Sequence, residues 1–334
     1  MTRKRNALFG LVLAALAAFA GPAAADTRTI CTYDPAGKSG DYFKILEDLA
    51  LQAESWGVTL EIKGYTDEET AAKDYEAGQC DGVVATGVRL QRFNRFPSTI
   101  EAIGALPTYR HLEQMIDALA KYEPKGLVSG EHETAGILPV GAVYLFVRDR
   151  NIDTVEELAG KRIATMDYDK AAPVMVDKVG AIMVPADLGS IGPKFNNGDV
   201  DACYVSAPAY KPFELERGLG SNGGVIRYPI AQATLQLLIR RDRFPEGFGS
   251  KARKFFADKF DEAIAIVKKA EAEIPERYWI DVGQSTEGFD DMFLNVRLEL
   301  RDKHKAYDPA MLHTAAMIRC GIDPSRPECA EKKE

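Results

Sequence analysis

Gly78-Gln-Cys-Asp81-Gly-Val-Val-Ala-Thr86 has a counterpart in the second half of the chain, Gly198-Asp-Val-Asp201-Ala-Cys-Tyr-Val-Ser206. Each is a glycine that closes a helix, an aspartate three residues on, and then a short buried strand. Their equivalent places in two strand–helix series point to two similar α/β lobes. Working outward from the first, strands are predicted at Arg28 to Tyr33, Val58 to Lys63 and Asp81 to Thr86. Helices are predicted at Asp41 to Trp56, with Leu46, Leu49, Ala50 and Ala53 on one face, and at Asp67 to Ala77. Around the second lie a short helix at Val155 to Ala159, strands at Arg162 to Thr165, Ile182 to Val184 and Val200 to Val205, and a helix at Ala171 to Val179. This alternation predicts mostly parallel sheets.

Between the two series, an amphipathic helix covers Tyr109 to Tyr122, and a strand at Val140 to Val147 crosses from lobe to lobe. The last third is helical: Phe256, Phe260, Ala263 and Val267 stripe one helix, and Phe289, Phe293, Val296 and Leu300 another. Such stripes are core packing rather than a cofactor site. The expected division is residues 26–140 with about 235–275 in lobe 1, and 141–234 with about 276–320 in lobe 2 and a lobe-spanning helix. Residues 321–334 form a polar tail.

The first 25 residues read as an export signal. Arg3, Lys4 and Arg5 precede an apolar run from Leu8 to Ala20, and Ala23 and Ala25 supply the small residues of a cleavage site after Ala25. No later stretch is long and apolar enough to span a bilayer. The expected product is an exported periplasmic protein. Its formal charge falls from −8 to −11 when the three basic residues leave. An acidic surface of that size argues against nucleic acid and anionic lipid as partners.

Five cysteines enter the oxidising compartment: Cys31, Cys80, Cys203, Cys320 and Cys329. The odd count leaves at least one free. Cys320 and Cys329 are close in a Pro-rich stretch, Cys31 and Cys80 make the second candidate pair, and Cys203 reads as a buried thiol. No C-x-x-C occurs, and His111, His132, His304 and His313 lack ligand spacing, so neither metal nor cofactor is expected.

From Val140 to about Asp281 the chain resembles the solute-binding receptors of tripartite ATP-independent periplasmic (TRAP) transporters, the DctP-like family. The matching residues are Thr154-Val-Glu-Glu-Leu-Ala-Gly-Lys-Arg-Ile163, Gly180-Ala-Ile-Met-Val-Pro185, Asn197-Gly-Asp-Val-Asp201 and Arg240-Arg-Asp-Arg-Phe-Pro245. The resemblance implies a two-lobed, type II-like periplasmic-binding-protein fold with a ligand cleft between the lobes and a long C-terminal helix. It also implies a carboxylate-clamping arginine, but Ala164 stands at that position. Tyr144 stands near the place of a second arginine. A larger, less anionic or aromatic ligand is the reading that this departure suggests.

In open α/β sheets, ligands gather beyond the carboxyl ends of strands. That rule nominates Tyr33, Asp34, Lys38 and Ser39, then Thr86, Gly87 and Arg89, in the first lobe. In the second it nominates Met166, Asp167, Tyr168, Tyr204, Ser206 and Tyr210. Tyr144 on the crossing strand, and Gln232 and Gln236 on the return strand, would face the hinge. Pro35-Ala-Gly-Lys38-Ser39 is no phosphate loop, because Thr32 stands where the first glycine belongs. The turn does lead into a helix N-terminus, whose free N–H groups favour an anion or polar group; a solvated turn is the other reading.

No Gly-x-Ser-x-Gly or nucleophile–base pair is present, so an enzyme is not expected. The expectation is a monomeric receptor that closes on a small molecule and delivers it to membrane transporter subunits. The alternative is an efflux-associated accessory or envelope protein that uses the same fold without import.

Overall fold

The computed structural model describes residues 26–282 and 287–334; the expected export signal lies outside them. The strands are β1 (Asp26–Tyr33), β2 (Val58–Tyr65), β3 (Gly82–Thr86), β4 (Val128–Ser129), β5 (His132–Val147), β6 (Arg162–Met166), β7 (Ile182–Ala186), β8 (Ala202–Ser206), β9 (Gly224–Ile226), β10 (Ala231–Arg240) and β11 (Trp279–Ile280). The main path through the sheet runs β2-β1-β3-β10-β5-β8-β6-β7. Two parallel triplets, β2-β1-β3 and β7-β6-β8, therefore flank a central antiparallel pair, β10-β5, that crosses between them.

The duplicated sequence stretch explains this symmetry. Gly78 and Gly198 both take left-handed backbone, at φ +76° and +82°, a conformation that costs glycine little. Each following aspartate then ties its strand to the neighbour. Asp81 Oδ2 accepts from Thr29 N–H at 2.9 Å, and Asp201 Oδ2 accepts from Arg162 N–H at 2.8 Å. The same local chemistry starts the third strand of both triplets.

Each lobe has its own core. Ile45, Leu46, Leu49 and Ala53 of the Asp41–Glu54 helix pack on Ile30, Val84 and Leu237. In the second lobe Ala164, Met166, Phe195, Cys203 and Val205 do the same. Burying each large aliphatic side chain contributes about 1.5–3 kcal/mol. A third, helical core joins Leu112, Met115 and Leu119 to Phe260, Val296, Leu300 and Met311.

The structure differs from the sequence reading in three places. β5 begins at His132, not near Val140, because its irregular residues are absorbed within the strand. Pro139, which lacks an N–H, pairs with Thr234 beside a bulge at Val140, a position that tolerates proline. Gly136 is glycine because the Phe256 ring lies where a Cβ would stand. The Phe256 to Val267 stripe is divided at Lys259 into the helices Phe248–Asp258 and Phe260–Ala272. The second of these reaches both lobes, with Ala263 in the first core and Ala270 against the second.

The polar tail is also packed down. Cys320 and Cys329 are disulfide-bonded, as are Cys31 and Cys80, while Cys203 is a buried free thiol. Arg297 and Arg319, both buried, reach Glu334, and Arg319 also reaches Glu328 at 2.6 Å.

Candidate ligand cleft

The carboxyl ends of β1, β3, β6 and β8 converge with the crossing strands on a cavity of about 340 Å³. That volume lies at the small end of the range for ligand sites, about 300–1,000 Å³. Tyr33, Asp34 and Ser39 come from the first strand and the turn after it, Tyr42 from the start of the Asp41–Glu54 helix, Thr86 from the end of β3 and Val88 from the short helix that follows it. Met166, Tyr168 and Asp169 follow β6, while Tyr204 and Ser206 come from β8. Val140, Val143, Ile230 and Gln232 form the hinge side, and Ile266, Val296 and Tyr307 the helical floor.

Most of this wall is apolar, and its charged groups have one sign. Asp34, Asp41, Glu101 and Asp169 line it, and no arginine, lysine or histidine does among the described residues. Among the described residues, Asp41 is the one of these with an ion-pair partner, Lys44 at 2.8 Å. Two like unit charges about 5 Å apart repel by about 3 kcal/mol at an effective dielectric of about 20. An anion in this cavity would meet that repulsion with no compensating cation.

Backbone donors hold two of the carboxylates. Asp34 accepts from Ala36 N–H at 2.8 Å and Phe43 N–H at 3.2 Å. Its own carboxylate thus occupies the helix N-terminus that the sequence offered to an external anion. Gly40 makes room, since a Cβ there would lie 2.0 Å from that carboxyl group. Glu101 accepts from Gly87, Val88 and Thr234 N–H and from the Thr234 hydroxyl, at 2.6–3.0 Å. Burial pushes the Glu101 carboxyl up to about 7, against four donors that favour the ionised form. Burial also raises Asp34 and Asp169.

Other polar groups in the wall are unsatisfied within the protein. Gln232 is 1% exposed, and neither its amide oxygen nor its amide nitrogen has a hydrogen-bond partner. The buried Tyr42 hydroxyl also lacks one. Buried polar groups are almost always paired, so these two leave unmet hydrogen-bonding capacity in the residues of the wall.

Residues 50–334 match the family described as solute-binding protein AdeT 1/2. The chain belongs to that family. It is 38% identical over 304 residues to AdeT1 of Acinetobacter baumannii, described as a probable solute-binding protein, which covers 90% of this chain and 100% of the relative. AdeT2 of the same organism is 27% identical over 232 residues, covering 68% of this chain and 96% of that one. Crystal structures of TRAP periplasmic solute-binding proteins share the two-lobed fold. One from Desulfovibrio salexigens with bound orotic acid has a TM-score of 0.72 at 13% identity, covering 89% of this chain and 99% of that one. One from Rhodoferax ferrireducens with bound malonate has a TM-score of 0.69 at 14%, covering 89% and 100%.

In this AdeT-family chain, nine of the nominated residues line the cavity: Tyr33, Asp34, Ser39, Thr86, Met166, Tyr168, Tyr204, Ser206 and Gln232. Seven others stand outside its wall, among them Gly87, whose N–H donates to Glu101 at 3.0 Å. Lys38 is exposed on the turn, and Asp167 points to solvent while Asp169, two residues on, turns inward. Tyr144 donates to Glu271 at 2.8 Å and packs edge-on against Trp279, in a separate surface cleft. Tyr210 stacks on Phe146 inside the second core. Gln236 donates to the Pro97 carbonyl and the Thr234 hydroxyl, each at 3.1 Å. Arg89 pairs with Glu68 at 3.1 Å and lies 3.4 Å from the centre of the Tyr168 ring.

Tyr168 also donates to Glu68 at 3.0 Å, so one side chain of the second lobe rests on an ion pair of the first. Ala164, where the resemblance implied a clamping arginine, is buried in the second core. Arg162 is committed to Asp201 and Arg148 to the Phe195 carbonyl, so neither substitutes for it. Sequence reasoning missed Tyr42, Glu101, Asp169 and Tyr307. The signal for Glu101 was a lone carboxylate beside Ile100, Ala102 and Ile103 in a segment without helical or strand period.

Proposed function

We propose that this chain is a periplasmic receptor that binds a small molecule between its lobes, closes on it, and presents it to a TRAP-type membrane transporter. The observation that carries this reading is the inter-lobe cavity, whose wall is shared by both lobes and contains the unpaired amide of Gln232. The Tyr168 contact with Glu68 and Arg89 supports closure, because it joins groups that hinge opening would separate. The basic, apolar and Ala-x-Ala segments at the start of the sequence support export. No helix among the described residues is long and apolar enough to cross a membrane. The lobes would divide as residues 26–140 with 235–275, and 141–234 with 276–320.

The structural relatives named above hold organic acids. A chain without cations in its cavity departs from them in ligand rather than in fold. Native followed by denaturing mass spectrometry of the exported protein tests the receptor reading. A stoichiometric small-molecule adduct lost on denaturation is the expected result. An adduct-free protein that also gives no thermal shift across a broad metabolite library would favour the accessory role.

A further inference from the structure

We infer that the cavity takes an uncharged or cationic ligand with an apolar or aromatic body, anchored by the amide of Gln232 and, for a cation, by Asp169. This rests on the receptor reading and specifies its ligand class.

Three independent observations converge on it. First, the wall carries four carboxylates and no basic side chain among the described residues. Second, Gln232 presents one donor group and one acceptor, both buried and both unpartnered, with the Tyr42 hydroxyl as a further unpartnered group. An amide, hydroxyl or protonated amine on a ligand would satisfy them. Third, the carboxylates are not equivalent. Both oxygens of Asp34 are held by backbone N–H groups, and Glu101 already accepts four hydrogen bonds. Asp169 accepts from Ala171 N–H at 2.8 Å and from the Tyr204 hydroxyl at 3.5 Å, with Ala172 N–H also nearby, and no cation pairs with it among the described residues. Its remaining lone pairs make it the group best able to meet a ligand cation.

The body of the ligand follows from the rest of the wall. Tyr204, Tyr168, Phe213 and Tyr307 supply aromatic faces, and Met166 and Met175 supply adaptable ones. Aromatic faces also attract cations.

The test is isothermal titration of the mature full-length protein with one scaffold in three charge states: 2-naphthylmethylamine, 2-naphthamide and 2-naphthoate. The amine and the amide are expected to bind at least tenfold more tightly than naphthoate. Gln232→Leu should weaken naphthamide at least tenfold, and Asp169→Asn should cut the preference for the amine over naphthamide at least fivefold. Thermal midpoints of both variants show that they fold, and the two lie on different walls, so either one alone keeps the test decisive. Naphthoate binding as tightly as the amine overturns the ligand class and leaves the receptor reading standing, because a ligand still enters. Failure of all three to bind overturns the inference, and the native mass spectrum then decides separately whether the receptor reading falls as well.

Discussion

Two regions of this molecule bury charge, and they treat it in opposite ways. At the C-terminal clamp, Arg297 and Arg319 are at most 1% exposed, and every charge is answered. Arg297 donates to both carboxylate oxygens of Glu334, at 2.7 and 2.9 Å, and to the Ile103 carbonyl at 2.9 Å. Arg319 donates to Glu328, Glu334 and the Ala105 carbonyl. In the ligand cavity no basic side chain lines the wall among the described residues, only Asp41 of its four carboxylates has an ion-pair partner, and Gln232 has no partner. The clamp is paired within the protein, whereas the residues of the cavity wall keep unmet capacity. The two are also adjacent: Val296 and Ile103 line the cavity, and the clamp holds Arg297 beside one and the carbonyl of the other.

The clamp side of this contrast breaks most visibly. Arg319→Ala leaves Glu328 and Glu334 buried with less opposing charge, and removing one partner of a buried pair costs about 3–5 kcal/mol. Urea denaturation should show a loss of that size; a cost below about 1 kcal/mol would mean that the clamp contributes little. Opening the tail disulfide with Cys320→Ser and Cys329→Ser should cost less. The two cysteines are nine residues apart, and loop-closure entropy for so short a loop gives between about 2 and 3 kcal/mol. If the double variant unfolds at the same urea concentration as the parent, the ion pairs alone secure the tail.

Much of the architecture was legible because local rules and tertiary demands agree. The Gly78/Asp81 and Gly198/Asp201 pairs set a left-handed turn and a strand tie within four residues, so the sequence shows both lobes directly. The site was legible only where strands end. Asp167 and Asp169 illustrate the limit: strand alternation chooses between faces, but the turn after Met166, closed by Asp169 N–H on the Met166 carbonyl at 3.1 Å, reverses which aspartate points inward. Glu101 was illegible for another reason. It reaches the cavity from a run of short helices, held by Thr234, which is distant in sequence. Tyr144, on the crossing strand, and Tyr210, past the end of β8, stand outside the cavity wall, since an aromatic at either kind of position packs into a side cleft or a core as readily as into a ligand site.

The lobe contact sharpens the comparison at intermediate scale. Tyr168→Phe removes one hydrogen bond to Glu68 and leaves Arg89 and Thr86 N–H on that carboxylate. A hydrogen bond to a charged group contributes about 1.5–3 kcal/mol, and the remaining partners place this one near the lower limit. The expected effect is on closure rather than on folding. Ligand affinity should fall roughly tenfold, since about 1.4 kcal/mol is tenfold in a dissociation constant. The urea midpoint should stay put. A shifted midpoint with unchanged affinity would make Tyr168 a structural contact like the clamp.

The smallest expected effect is the most discriminating. Gln232→Leu replaces a buried amide that has no partner with an apolar side chain of similar length, in a wall already formed by Val143, Ile230 and Leu235. A polar group whose hydrogen bonds are satisfied resists such a change, because its partners are orphaned; one with no partners orphans nothing. The ligand-free protein should therefore keep its stability to within about 1 kcal/mol, or gain slightly, as burial without an unmet amide is cheaper. A loss of several kcal/mol, of the kind expected for Arg319→Ala, would mean that Gln232 is bonded within the folded protein. The contrast between a paired clamp and an unpaired cavity would then be lost. Unchanged stability with lost ligand binding would separate the two regions by function as well as by charge.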